Sequence, residues 1–469
     1  MRLLYFAITI LLLQSCSSGE DKTTQTVSAP SVSQQPPAPV NYDNTLATGK
    51  VITVNCKSDS TQSYTLYLPS NYTSSKPWPV FFGFDPHAQG REVTKYYKIA
   101  EKYGYILAGC NNSRNNQAPD ISANVIKTFM DDLDSRVNID NNRIYTMGFS
   151  GGAKVASGIA INNGGITGVI GAGAGFPDNI KAMNNRFYYF GIVGDGDFNY
   201  GSLITLDEDL QKNNLPHQLR VFEGKHEWPP ADVIDEGVLY MTLNAMRDTK
   251  APKNDSLIKN AFPKYADKEK QFEKEGDYYN AWLQDQRIID FFDQLADITT
   301  YHQSLEKLAN TTQVKKGLDE KAQMIEKEQS LQQGYINDLK DKPLAWWQGE
   351  INRLRNAAKS EKDKQQSGLD KRLVAFFGII TYSSANNAVA KNNLPAATQF
   401  VQILNMVDAK NADVPYINAC ILAKQNQPDK ALIELKKAVA LGYEDRGKMD
   451  TDPTLEPVRK LPGYAGVWK

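Results

Sequence analysis

From about residue 50 to residue 250 the chain alternates short apolar runs with segments of helical period, and this alternation admits few folds. The runs are Tyr64–Leu68, Val80–Phe84, Ile106–Cys110, Ile144–Phe149, Gly168–Ala172, Phe187–Val193 and Leu219–Phe222. Among the segments between them, Val125, Phe129, Leu133 and Val137 recur every four residues, and Ile126 and Met130 widen the stripe. That spacing gives a helix one apolar face. Runs that are apolar throughout need cover on both sides, and helices alternating with strands provide it over a mainly parallel sheet. In such a sheet the functional groups collect in loops at the carboxyl ends of the strands.

One motif stands at such an end. Arg143-Ile144-Tyr145-Thr146-Met147 reads as a strand, Gly148-Phe149-Ser150-Gly151-Gly152 follows, and Ala153–Ile161 reads as a helix. Gly-x-Ser-x-Gly in this context is a sharp strand-to-helix turn that exposes the serine hydroxyl, with small neighbours so that strand and helix do not collide. A serine nucleophile needs a base, and the base an orienting acid, in the chain order serine, acid, histidine. The chain has only four histidines: His87, His217, His226 and His302. His226 follows the Leu219–Phe222 strand and has the position of a general base. His217 lies at the opposite end of that strand and is expected at the surface; His302 lies on a helical stretch further on. After the Phe187–Val193 strand comes Gly194-Asp195-Gly196-Asp197, which offers two acids. An oxyanion hole would combine the Gly151 N–H with one from the loop Asp85-Pro86-His87-Ala88. Pro86 has no N–H, so the second donor is His87 or Ala88.

Several pieces together resemble secreted serine esterases of the α/β-hydrolase fold, near the feruloyl-esterase, polyhydroxybutyrate-depolymerase and dienelactone-hydrolase-like group. They are Asp85-Pro86-His87, Asn111-Asn112-Ser113-Arg114-Asn115, Arg143-Ile144-Tyr145, Gly148–Gly152 and Gly224-Lys225-His226-Glu227-Trp228. The resemblance covers about 200 residues, under half the chain. It implies a carboxylic ester substrate, a Ser150–His226–Asp197 triad and no metal or organic cofactor. Asp197 is taken over Asp195 because these esterases carry Gly-x-x-Asp after this strand. Asp85-Pro86-His87 departs from the His-Gly-Gly of lipases. Only Gly173–Arg186 is available as a lid, so an open cleft is expected, suited to a bulky or polymeric ester or to a peptide. A serine peptidase of the same fold is the alternative enzyme.

The start of the chain reads as an address. Arg2 precedes the apolar stretch Leu3–Leu13, and Leu13-Gln14-Ser15-Cys16 resembles a bacterial lipobox with Cys16 as the acylated residue. Residues 1–15 are then a signal peptide, and 16–49, rich in Ser, Thr, Gln and Pro, a tether with little to bury. Glu20-Asp21 resembles the acidic export signal of surface lipoproteins in the Bacteroidetes. The expected location is outside the cytoplasm, held to the outer membrane by lipid alone. With 53 Lys+Arg against 54 Asp+Glu, no basic excess marks a nucleic-acid surface. A mean hydropathy of −0.48 excludes a polytopic membrane protein. Besides Cys16 there are Cys56, Cys110 and Cys420. The export context admits a Cys56–Cys110 bridge, which spacing alone does not establish.

Residues 251–469 read as helical. The charged stretch Lys250–Tyr265, with Pro252 and Pro263, marks the expected boundary. Over about 378–445 a 34-residue period pairs Ala385 with Ala419, Ala388 with Leu422, Ala397 with Ala431, Val401 with Leu435, and Leu404 with Ala438. Small residues at fixed places let paired helices approach, and the period resembles the tetratricopeptide repeat. It implies a concave surface for a protein partner; the other reading is that these helices brace the hydrolase. Since residues 50–250 hold nucleophile, acid and base, a chain ending near Met246 is expected to keep ester hydrolysis. The rival reading from another class is a repeat-based assembly lipoprotein whose hydrolase part is vestigial.

Overall fold

Eight strands form one sheet. They are β1 (Val51–Asn55), β2 (Ser63–Tyr67), β3 (Trp78–Phe84), β4 (Ile106–Cys110), β5 (Ile139–Phe149), β6 (Gly168–Ala172), β7 (Tyr188–Gly194) and β8 (His217–Phe222). Their spatial order is β1-β2-β4-β3-β5-β6-β7-β8. β2 runs antiparallel to β1 and β4, and all pairs from β4 through β8 are parallel. This is a computed structural model, and it describes residues 42–177, 185–360 and 363–468. The expected signal peptide, Cys16 and most of the expected tether lie outside the described residues.

Helices cover both faces of the sheet. α1 (Arg91–Thr94) and α2 (Tyr97–Tyr103) join β3 to β4, and α3 (Pro119–Asp134) joins β4 to β5. α4 (Gly151–Asn162) joins β5 to β6, α5 (Tyr200–Lys212) joins β7 to β8, and α6 (Ala231–Arg247) follows β8. Successive residues of β3 point to opposite faces. Val80 and Phe82 pack with Phe129 and Leu133 of α3 and Ala156 and Ile159 of α4. Phe81 faces the other way, against Tyr145, Phe190 and α6 residues such as Val238 and Leu243. The strand order, the single antiparallel β2 and the turn between β5 and α4 make this an α/β-hydrolase fold.

Seven of the eight strands coincide with the apolar runs. β1 has no such run because it lies at the sheet edge, where only Val54 of its five residues is buried. Cys56, Cys110 and Cys420 are all free and buried, so the bridge admitted for Cys56 and Cys110 is not formed.

After Lys250 the described chain is helical. α7 (Asp255–Glu275), α8 (Tyr278–Phe292), α9 (Thr299–Ala309), α10 (Thr312–Asp341) and α11 (Leu344–Ala357) come first. α12 (Lys364–Ala390), α13 (Leu394–Val407), α14 (Asp413–Lys424), α15 (Pro428–Ala440) and the short α16 (Arg446–Thr451) follow. Asn254, Asp277, Thr311 and Asn393 cap α7, α8, α10 and α13 by accepting a backbone N–H. Pro263 lies inside α7 rather than in a linker. The 34-residue period maps onto two successive helix pairs, α12–α13 and α14–α15. Ala385, Ala397, Val401, Leu404, Ala419, Ala431, Leu435 and Ala438 share one buried cluster. α12 is long and apolar enough to cross a membrane by length and composition. Its apolar residues are instead taken up by packing: Leu369, Leu373 and Phe377 against Trp347, Ile351 and Leu354 of α11.

Tyr42–Lys469 is one compact unit, and its core does not stop at residue 250. Ile288, Phe291 and Phe292 of α8 are fully buried in the same cluster as Phe190 of β7 and Tyr240 of α6. The Phe291 ring lies 5.1 Å from that of Tyr240 and 6.4 Å from that of Phe190.

Candidate active site

Ser150 occupies the turn between β5 and α4 with φ 52° and ψ −121°, a left-handed conformation that a serine adopts only under constraint. The constraint is the closeness of strand and helix. A side chain at Gly148 would collide with the Gly152 carbonyl, and one at Gly152 with the Phe84 carbonyl of β3. The two motif glycines therefore let α4 start directly above the sheet, and the turn lifts the serine hydroxyl out of it.

The loops after β7 and β8 bring the other groups to it. His226 Nε2 is 2.9 Å from Ser150 Oγ. His226 Nδ1 is 3.0 and 2.9 Å from the two oxygens of Asp197. A carboxylate can only accept, so Nδ1 carries the proton and Nε2 is left to accept from the serine hydroxyl. Asp197 is 1% exposed and also accepts the Asn199 N–H at 2.8 Å. The imidazole lies between the rings of Phe149 and Phe198, at 4.7 and 4.3 Å. Of the two acids legible in the sequence, Asp197 is the one bonded to His226. Asp195 acts differently. Its Oδ1 accepts the Gly224 N–H at 3.0 Å and ties the acid turn to the histidine loop.

The oxyanion donors are less complete. Gly151 is the first residue of α4, so its N–H has no intrahelical acceptor. The N–H groups of both second-donor candidates are engaged: His87 donates to Asp85 Oδ1 at 2.8 Å, and Ala88 to the Asp85 carbonyl at 3.2 Å. A residue to which the sequence assigns no role stands beside the elbow instead. The Asn115 side-chain amide lies against Gly151, where it would collide with any side chain. Asp85 is a second such residue. It is 4% exposed, its Oδ1 holds the His87 loop, and its Oδ2 accepts Trp228 Nε1 at 2.8 Å. It thus pins the loop after β3 to the loop bearing His226. The signal was available in Asp85 following a strand end and Trp228 sitting two residues from the base.

The remaining histidines stand apart. His302 is exposed on α9. His217 is not the surface residue expected: its side chain is 10% exposed, with Nδ1 2.7 Å from the Leu215 carbonyl and Nε2 3.4 Å from Asp207.

The open cleft inferred from the short lid segment is bordered by another part of the chain. Residues 178–184 of that segment lie outside the described residues. The helical region reaches the site from two sides. Arg114, next to Asn115, packs its guanidinium on Gly447 and pairs with Asp445 at 3.4 Å. Arg91 pairs with Glu444 at 2.9 Å. On the other side, Arg372 of α12 donates to the Asp195 carbonyl at 3.1 Å. No sequence signal links residues so far apart in the chain.

Neither a protein-family model nor a curated protein sequence matches the chain. Solved structures similar to part of it include S-formylglutathione hydrolase from Staphylococcus aureus, at 15% identity and TM-score 0.35, over 41% of this chain and 98% of that one. A ferulic acid esterase is similar at 16% identity and TM-score 0.32, over 40% of this chain and 94% of that one. The acylaminoacyl peptidase of Pyrococcus horikoshii is similar at 11% identity and TM-score 0.33, over 43% of this chain and 42% of that one.

Proposed function

We propose that the protein is a serine hydrolase that cleaves carboxylic esters through an acyl-enzyme. The observation that carries this reading is the unbroken hydrogen-bonded series Ser150–His226–Asp197, set on a strained turn at the carboxyl end of the sheet. In the proposed reaction His226 Nε2 takes the proton as Ser150 Oγ attacks the ester carbonyl, and Asp197 holds the imidazolium that forms. The Gly151 N–H, which has no intrahelical acceptor, would donate to the oxyanion. His226 then protonates the departing alkoxide, and water repeats the sequence to free the acid. Nothing in these steps calls for a metal or an organic cofactor.

The protein would act outside the cytoplasm, with Cys16 acylated and residues 16–49 as its tether, and the paired helices α12–α15 would offer a surface to a protein partner. A fluorophosphonate probe tests the chemistry without knowledge of the substrate. Wild type should be labelled and should hydrolyse a short activated ester, and Ser150→Ala should do neither while melting as wild type does. Labelling that persists in Ser150→Ala removes the reading. Cys16→Ala should lose incorporation of a fatty-acid analogue and keep esterase activity.

A further inference from the structure

The acid turn Gly194-Asp195-Gly196-Asp197 is held from two directions. On the hydrolase side the Asp195 N–H donates to the Phe222 carbonyl at 2.8 Å, the Gly196 N–H donates to the Gly224 carbonyl at 2.8 Å, and Asp195 Oδ1 accepts the Gly224 N–H. These bonds join the acid turn to the histidine loop, so the two move together. On the other side stands α12. Arg372, 4% exposed, uses different nitrogens of one guanidinium for two bonds. Nε pairs with the buried Glu328 of α10 at 2.8 Å, and Nη1 donates to the Asp195 carbonyl at 3.1 Å. The same guanidinium lies 4.3 Å over the ring of Tyr200, the first residue of α5, three positions after Asp197. Gly368, one turn before Arg372 on α12, leaves room for this guanidinium. A Cβ there would stand 3.0 Å from Arg372 Nη1 and 3.7 Å from the Asp195 carbonyl.

We propose that Arg372 is a positioning residue: a latch from the helical region that fixes the acid turn and the histidine loop joined to it and, through them, the place of the Asp197–His226 pair against Ser150. This rests on the hydrolase reading above. A buried guanidinium paired with Glu328 would serve as a brace anywhere in a helix bundle. Here its second nitrogen leaves the bundle and bonds the backbone two residues from the acid. A fork of fixed geometry can serve both acceptors at once, and a lysine ammonium cannot.

The test uses the full chain. Arg372→Lys keeps a positive charge against Glu328 and gives up the reach to Asp195. The double variant Arg372→Met with Glu328→Leu removes the latch without leaving a buried charge unpaired. Active-site titration with a fluorophosphonate gives the labelled fraction and the labelling rate separately. For both variants we expect wild-type stoichiometry, with labelling rate and kcat down roughly 10- to 100-fold and KM for a small ester within about twofold. Arg353→Lys, at an exposed pair with Glu350 on α11, is the control expected to match wild type. A wild-type rate per labelled site in both variants overturns the proposal, and so does a reduced labelled fraction whose remaining sites react at the wild-type rate. Either outcome would make Arg372 a brace only and leave the Ser150 reading intact. Failure of wild type itself to show Ser150-dependent labelling would bring down both.

Discussion

Asp195 and Asp197 have the same side chain two positions apart, and the fold employs them differently. Asp197 accepts from His226 Nδ1 with both oxygens, whereas Asp195 accepts a backbone N–H from Gly224. Asparagine at 195 keeps an oxygen able to accept that N–H. At 197 it presents an amide N–H to an imidazole that needs an acceptor, which favours the wrong tautomer. Asp197→Asn should therefore lower kcat by about 10⁴-fold, as loss of the orienting acid does in other serine triads. Asp195→Asn should cost less than about tenfold, the scale of one weakened hydrogen bond. Steady-state kinetics on a small activated ester decides between them, and a worse lesion at 195 would reverse the assignment. At this scale the meeting of Ser150 and His226 was legible in the sequence, since a glycine-flanked serine and a histidine each follow a strand. Asn115's place beside the elbow was not, because it comes from approach in space, and Asp85 left only a partial signal in its position after a strand end.

Among the elements, α7 and α8 carry a cost that depends on pH. Glu269 on α7 is 5% exposed, and burial, reinforced by Glu273 and Asp285, pushes its carboxyl up to about 7. Asp285 on α8 is fully buried, and burial pushes it up to about 6. A carboxyl whose folded value exceeds its unfolded one favours the folded state while protonated. That stability is complete below the ordinary carboxylate range and is lost as pH rises through 6 to 7. The melting temperature should fall between pH 5 and pH 8, and the pair Glu269→Gln, Asp285→Asn should flatten the slope. Asp290, also raised to about 6 by burial, keeps it from vanishing. A wild-type melting temperature independent of pH over this range would contradict the account. The helices α12–α15 were legible from the 34-residue match. The edge strand β1 was not, because one buried residue in five leaves no alternation to read.

At the scale of the whole molecule, hydrolase and helices are not two bodies joined by a linker. The change of composition near Lys250 is real, and it marks a change of element type while the core runs on beneath it. α8 places Ile288, Phe291 and Phe292, all fully buried, against the outer side of the layer built by Phe190 and Tyr240. Around the face that carries Ser150, Arg372 holds Asp195, Asp445 holds Arg114, and Glu444 holds Arg91. A chain ending at Met246 would cut α6 in its last turn and strip that layer of its cover. Each large apolar side chain returned to water costs about 1.5–3 kcal/mol, against a total stability of about 5–15 kcal/mol. Two or three such exposures approach the whole margin. The expectation that residues 50–250 hydrolyse esters alone therefore gives way to the opposite one. Residues 42–246 should melt without cooperativity or aggregate, and should label poorly with a fluorophosphonate, while residues 42–468 label as the full chain does. Circular dichroism melting and probe labelling of the two truncated chains, side by side, make the comparison. If the shorter chain melts cooperatively and labels at the full-chain rate, the shared core is dispensable and the catalytic unit ends at α6.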